Sequence, residues 1–271
     1  MVPEARAESI WLRPERAVVG RPAQHTRAGI TAVALPIADA EGLEAVSMRR
    51  VAAELGTGAA SLYRYVETRD ELLDLMTDAT AAEYDLTPPP PGHPAAQDWL
   101  AGLVALGEQA RAILHRHRWL AALSLTRPVI GPNTVAVIER YLEILAAHPA
   151  TLTAKLEAFA MLNGLTATSV LYEQAGGPAL QARNVGYLAH AVTAGGYPRL
   201  AELFAQAQVK PADTSQLADT SQPAGTAQTA DTAQPAGDPA DRYQHLLARV
   251  LLGLLGDGRE GGPGSAGTDP A

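Results

Sequence analysis

A chain of 271 residues, 47% of them hydrophobic, is long enough to bury one large core or two smaller ones. Its lack of cysteine removes disulfides and thiol chemistry and argues against a structural zinc site. A net charge of −8 argues against a general cationic coat for nucleic acid, so any such surface has to be local and built from arginine, because lysine is scarce.

Alanine and leucine dominate and no stretch alternates with period two, so the predicted fold class is all-α. No apolar run approaches the roughly 20 residues that a membrane span needs, and charges stand where a signal peptide would be apolar. The expectation is a soluble, cytoplasmic protein with no membrane partner.

In chain order, residues 1–24 mix prolines and charges around Ile10-Trp11-Leu12 and read as a flexible arm that docks through Trp11. From Ile30 the apolar residues Ile30, Val33, Ala34, Ile37 and Ala38 recur with helical period until Gly42. Pro36 lies inside this stretch and removes one hydrogen bond, which predicts a kink or a late start. Ser47 caps a second short helix that ends at Gly56, and a third covers 59–65. Thr68 and Glu71 form a capping box at the start of a fourth. The prolines at 88–91 close this head, whose limits are set at 25–85.

A larger helical domain is expected over 95–256, with helices at 95–117, 119–126, 134–147 (capped by Asn133), 152–174, 178–194 and 198–207. A six-residue unit repeats four times between 212 and 237 with almost no large apolar side chains, so 208–238 is predicted to be a disordered loop. The last helix, beginning at Asp238-Pro239, carries Tyr243, Leu246, Leu247, Val250, Leu251 and Leu254 on one stripe, widened by Leu252 and Leu255. So broad an arc suits a helix shared between a subunit core and a dimer interface. Residues 257–271 are glycine-rich and are predicted to be a disordered tail.

Three short helices with a tight glycine turn between the second and third make a helix-turn-helix arrangement, whose last helix enters the major groove of DNA. At about 100° per residue, Ala59, Leu62 and Val66 share the core side of the third helix while Ala60 and Arg64 project oppositely. Arg64 is then placed to fork onto a guanine, and small Ala59 and Ala60 permit close approach. Tyr63 and Tyr65 can donate to phosphates or pack against the first helix, and Arg69 sits in a helical first turn where a phosphate is favoured.

The run Ala40-Glu41-Gly42-Leu43, Ser47-Met48-Arg49-Arg50-Val51-Ala52-Ala53-Glu54-Leu55-Gly56, Ser61-Leu62-Tyr63-Arg64-Tyr65-Val66 and Arg69-Asp70-Glu71-Leu72 closely resembles the N-terminal domain of the tetracycline-repressor (TetR/AcrR) family of transcriptional regulators. Weaker likeness to that family's C-terminal domain covers Arg127-Pro128 to Asn133 and the final leucine-rich helix. The resemblance implies base reading by Arg49, Ala59, Ala60, Ser61 and Arg64, and phosphate contacts by Ser47, Tyr63, Tyr65 and Arg69. It also implies a homodimer on a palindromic operator in double-stranded DNA, and a small-molecule effector in the C-terminal domain. Val66 replaces the family's usual phenylalanine.

No nucleophile elbow, paired-carboxylate signature or metal-binding HExxH is present, so neither enzymatic activity, a cofactor nor a metal is expected. His115 and His117, two apart on a helix, face differently and read as surface or core-edge residues. Asn163 lies on an apolar helix side and needs a partner, either a ligand or a core group. Trp119, Leu123, Met161, Leu165 and Tyr172 serve equally well as pocket walls or as core. The leading expectation is a ligand-responsive repressor; the alternative is a helical small-molecule binder or enzyme with a vestigial DNA-binding head.

Overall fold

The computed structural model describes residues 9–15, 25–206 and 239–258. The predicted arm outside 9–15, the loop at 208–238 and most of the tail at 257–271 lie outside the described residues, as does the six-residue repeat. The described residues are all helical, with no strand among them.

The head is built from α1 (Arg27–Glu41), α2 (Met48–Glu54), α3 (Ala59–Leu62) and α4 (Arg69–Ala81). α1 starts where the Thr26 hydroxyl accepts from the Gly29 N–H at 3.0 Å, and it stops at Gly42, whose φ of +84° only glycine adopts readily. It runs through Pro36 without a break, contrary to the expected late start. Its cap and its buried stripe of Ile30, Ala34, Ile37 and Ala38 outweigh the cost of about 3 kcal/mol that an interior proline imposes.

Ser47 caps α2 as expected, accepting from Arg50 N–H at 3.1 Å. α3 is shorter than the predicted 59–65: after Leu62 the chain turns, with Tyr65 N–H donating to the Leu62 carbonyl at 2.8 Å. Thr68 caps α4 at 3.0 Å, but the reciprocal half of the box is shifted by one residue. The Glu71 carboxylate accepts from Glu67 N–H at 2.7 Å rather than from Thr68.

The described part of the arm is anchored by Ile10 as well as by Trp11, whose ring lies against Gly131. Ile10 is buried in a single 3-10 turn, Ile10–Leu12, whereas Trp11 is half-buried. Arg27 donates to the carbonyls of Ile10 and Arg13 at 2.8 and 2.9 Å. Arg13 pairs with Glu71 and Glu67, and the Glu71 carboxylate raises its pKa above the ordinary arginine value.

Beyond the head come α5 (Pro94–Gln97), α6 (Trp99–Arg116), α7 (Leu120–Thr126), α8 (Pro132–Ile144), α9 (Leu152–Gln174), α10 (Gly177–Ala194), α11 (Pro198–Gln206) and α12 (Pro239–Leu255). By contact the chain forms two compact units, one of Met1–Val170 with Pro239–Ala271 and one of Leu171–Asp238. In the second unit α10 packs on α11. In the first, α1 packs on α4 and α2, α4 on α8, and α6 on α8 and α12.

The centre of the first unit gathers Leu103, Leu106, Tyr141, Leu145, Leu162, Tyr243, Leu247 and Leu251, all buried. α6 and α12 approach so closely that a Cβ on Gly107 would lie 2.5 Å from Leu247 Cδ2. The Tyr243 hydroxyl donates to the Gly107 carbonyl at 3.0 Å and lies 2.7 Å from Thr166 Oγ1, which satisfies this buried phenol.

Candidate functional site

On the outer side of the head, Ser47, Arg49, Ala60, Tyr63 and Arg64 are exposed, and Ala59 and Ser61 are partly so. Leu62 and Val66, both 0% exposed, hold the opposite side of α3 and the turn after it. A valine suffices as the core plug at 66 because Tyr65 is buried beside it, with its ring edge-on to His25 at 6.4 Å. Arg50 faces Glu41 and Glu54 at 3.1 Å each, which fixes the start of α2 and leaves its neighbour Arg49 to solvent.

Two residues predicted to touch phosphates are engaged inside the head instead. Tyr65 is 6% exposed and packs as a core ring. Arg69 donates from Nε to the Val46 carbonyl at 2.8 Å and from Nη2 to the Leu43 carbonyl at 2.6 Å, lashing α4 to the turn before α2. Periodicity alone could not find this, because those carbonyls belong to a 3-10 turn and its cap far away in sequence.

The second element of the site is a cavity of about 550 Å3 in the first unit. α4 contributes Thr77, Thr80 and Ala81, followed by Tyr84; the α7–α8 turn contributes Arg127, Pro128, Val129 and Ile130; α9 contributes Phe159 and Asn163. Of the side chains expected to line a pocket, only Asn163 stands on this wall, and its Nδ2 donates to the Phe159 carbonyl at 2.8 Å.

The other candidates lie elsewhere for identifiable reasons. Trp119 is buried, with its indole N–H donating to Asp39 Oδ1 of α1 at 2.7 Å, so it joins the body to the head. Leu123 is half-buried on a face of α7 away from the cavity, and Met161 is 51% exposed on α9. Leu165 packs against the central core, and Tyr172 belongs to the second unit.

α4 is tied to the cavity's far wall as well as forming its near one. Arg127 donates to both Asp74 oxygens at 2.7 and 3.1 Å and to Asp70 Oδ2 at 3.2 Å, and Asp74 is the chief cause of its raised pKa. One turn on, Asp78 accepts from Asn133 N–H and Nδ2 at 3.2 and 3.0 Å and from Thr134 N–H and Oγ1, both at 2.9 Å. The expected cap of α8 is thus corrected: the helix begins at Pro132, and Asn133 lies inside it as a donor to a carboxylate from α4.

A further clasp joins the head to α6. His117, 4% exposed, lies with Nδ1 2.8 Å from Asp39 Oδ1 and Nε2 2.7 Å from Glu83 Oε1. It is a buried strut rather than the surface or core-edge histidine expected from sequence. Its two partners come from α1 and from the residues following α4.

A helix-turn-helix head fused to a helical body with an internal cavity defines a class of two-part regulators. The chain matches "Bacterial regulatory proteins, tetR family" over residues 30–76 and "Tetracyclin repressor-like, C-terminal domain" over 91–221, and it belongs to the TetR family. It is 38% identical over 170 residues to the HTH-type transcriptional repressor DrrR1 of Streptomyces coeruleorubidus, covering 62% of each chain. This chain therefore spans less than two thirds of that relative's length.

Among solved structures, apo ActR from Streptomyces coelicolor is 28% identical with a TM-score of 0.64, covering 87% of this chain and 99% of that one. ActR in complex with actinorhodin is 28% identical with a TM-score of 0.63 and the same coverage. Among the described residues no group of side chains has a metal-holding arrangement, and no helix is long and apolar enough to cross a membrane.

Proposed function

We propose that this chain is a ligand-responsive transcriptional repressor that binds a palindromic operator as a homodimer and is not an enzyme, with the cytoplasm as its place of work. The observation that carries the reading is the course of α4: Arg69 in its first turn braces the head, while Thr77 and Thr80 in its later turns line the cavity. A molecule filling the cavity presses on the helix that Arg69 ties to the turn before α2, the helix on which α3 packs.

Arg49 and Arg64 read base edges in this proposal, Ala59, Ala60 and Ser61 allow close approach, and Ser47 and Tyr63 contact phosphates. Two recognition helices set about 34 Å apart meet successive major grooves, and an effector that favours another spacing releases the DNA. Couplings of about 1 to 3 kcal/mol give partial derepression, since a full switch needs roughly 5.5 kcal/mol. The relatives support this: DrrR1 is named a repressor, and ActR has been solved with actinorhodin bound.

Support for the dimer comes from α12. Tyr243, Leu247 and Leu251 are buried in the subunit core, whereas Leu246, Leu252 and Leu254 remain 42, 39 and 42% exposed. Leucines left in water on a helix already packed on one side call for a second partner.

The test is selection of a DNA site from a random pool followed by a band-shift titration. A palindrome should emerge, and Arg64→Ala should weaken binding to it by about 1 to 3 kcal/mol. Failure to enrich any site, or unchanged binding by the variant, refutes the proposed readout.

A further inference from the structure

The cavity wall carries one ionised side chain, Arg127, and its charge is already matched. Nε and Nη2 donate to the Asp74 carboxylate, Nη1 donates to Asp70 Oδ2, and Nη2 also reaches the Asp70 carbonyl at 3.3 Å. Neither aspartate lines the cavity. An anion entering here would lose its hydration and find a guanidinium held by two carboxylates, and a cation would find no carboxylate on the wall.

Neutral polar groups, by contrast, stand open. The Thr77 hydroxyl oxygen is buried without a hydrogen-bond partner. Asn163 spends Nδ2 on the Phe159 carbonyl and leaves Oδ1 with no donor among the described residues. Burial pushes the Tyr84 phenol well above its ordinary range, so it remains a protonated O–H. These groups sit between apolar walls such as Ile113, Leu114, Val137 and Phe159. An acceptor oxygen on a ligand suits Thr77 and Tyr84, and a donor O–H suits Asn163.

Resting on the reading that this cavity holds the effector, we infer that the effector is an uncharged, largely apolar molecule bearing hydroxyl and carbonyl oxygens. A cavity of about 550 Å3 falls within the usual range for such ligands. The specificity lies in what the wall withholds, namely a free counter-charge, as much as in what it offers.

The experiment titrates the full chain calorimetrically with three naphthalene probes matched in size: 6-hydroxy-2-acetonaphthone, which is uncharged, 6-hydroxy-2-naphthoate, an anion, and 2-naphthylmethylamine, a cation. The uncharged probe should bind at least roughly tenfold more tightly than either charged one. Thr77→Val and Asn163→Leu should each weaken it by roughly fivefold to tenfold. Equal or tighter binding of a charged probe, binding by none of the three, or unchanged binding of the neutral probe by both variants overturns the assignment; if a variant fails to fold, the charge series on the unaltered chain still decides. Release of selected DNA is read separately. A neutral probe that binds but releases no DNA leaves the ligand class standing and sinks the effector reading.

Discussion

Asp78 of α4 receives both the backbone and the side-chain amide of Asn133, so the start of α8 is capped by a residue 55 positions away. With Thr134 adding two more bonds, one buried carboxylate satisfies the free amides of one helix from the body of another. The clearance is small: a Cβ on Gly131 would lie 2.4 Å from Asp78 Cγ. The α4–α8 contact is therefore a tight, hydrogen-bonded joint between a head helix and the body.

Asp78→Ala should remove the cap and strand the amides of Asn133 and Thr134, at a cost of about 2 to 4 kcal/mol. Urea unfolding measures it. A loss below about 1 kcal/mol would show that water replaces the carboxylate at little expense.

Arginines 64 and 69 should separate cleanly when each is changed to alanine. Arg64 is exposed, so Arg64→Ala should leave stability within about 0.5 kcal/mol. Arg69→Ala removes the bonds from its guanidinium to the Leu43 and Val46 carbonyls and should destabilise the head by about 1 to 2 kcal/mol. Thermal unfolding alongside the band shift distinguishes them, and equal stabilities would refute the bracing role.

Gly107→Ala tests the α6–α12 seam. The added methyl meets Leu247 Cδ2 at 2.5 Å and the Tyr243 hydroxyl at 2.7 Å, both deep in the core. Overpacking of this kind costs about 1 to 3 kcal/mol, and denaturant midpoints report it.

Leu246→Glu with Leu254→Glu should leave the subunit folded, because both side chains are already more than a third exposed. Sedimentation should then show a monomer and the band shift a large loss of operator affinity. A double variant that stays dimeric would place the interface elsewhere.

His148 gives a pH dependence. Its burial, more than any other cause, lowers its pKa from 6.5, and its Nδ1 accepts from Ala150 N–H at 3.2 Å, a bond available only to the neutral ring. Below the unfolded value the unfolded chain takes up a proton that the folded chain resists, so stability falls as pH drops. Melting temperatures of His148→Phe should decline less steeply than those of the unaltered chain between about pH 7 and pH 5; parallel curves would contradict the assignment.

The helices were legible from sequence because their causes are local. Apolar spacing, the Ser47 and Thr68 hydroxyls and the proline opening α11 act within one or two turns. The outward face of α3 followed from the same arithmetic, since Leu62 and Val66 leave Arg64 only one side. Arg69, Trp119, His117 and Asp78 were decided by tertiary structure alone. Each pairs with a group dozens of residues distant, and a polar side chain's partner is set by which chain segments meet, a matter on which periodicity is silent. The cavity follows the same rule: its walls come from four separate segments, and whether an apolar side chain faces a void or its neighbours depends on how those segments pack.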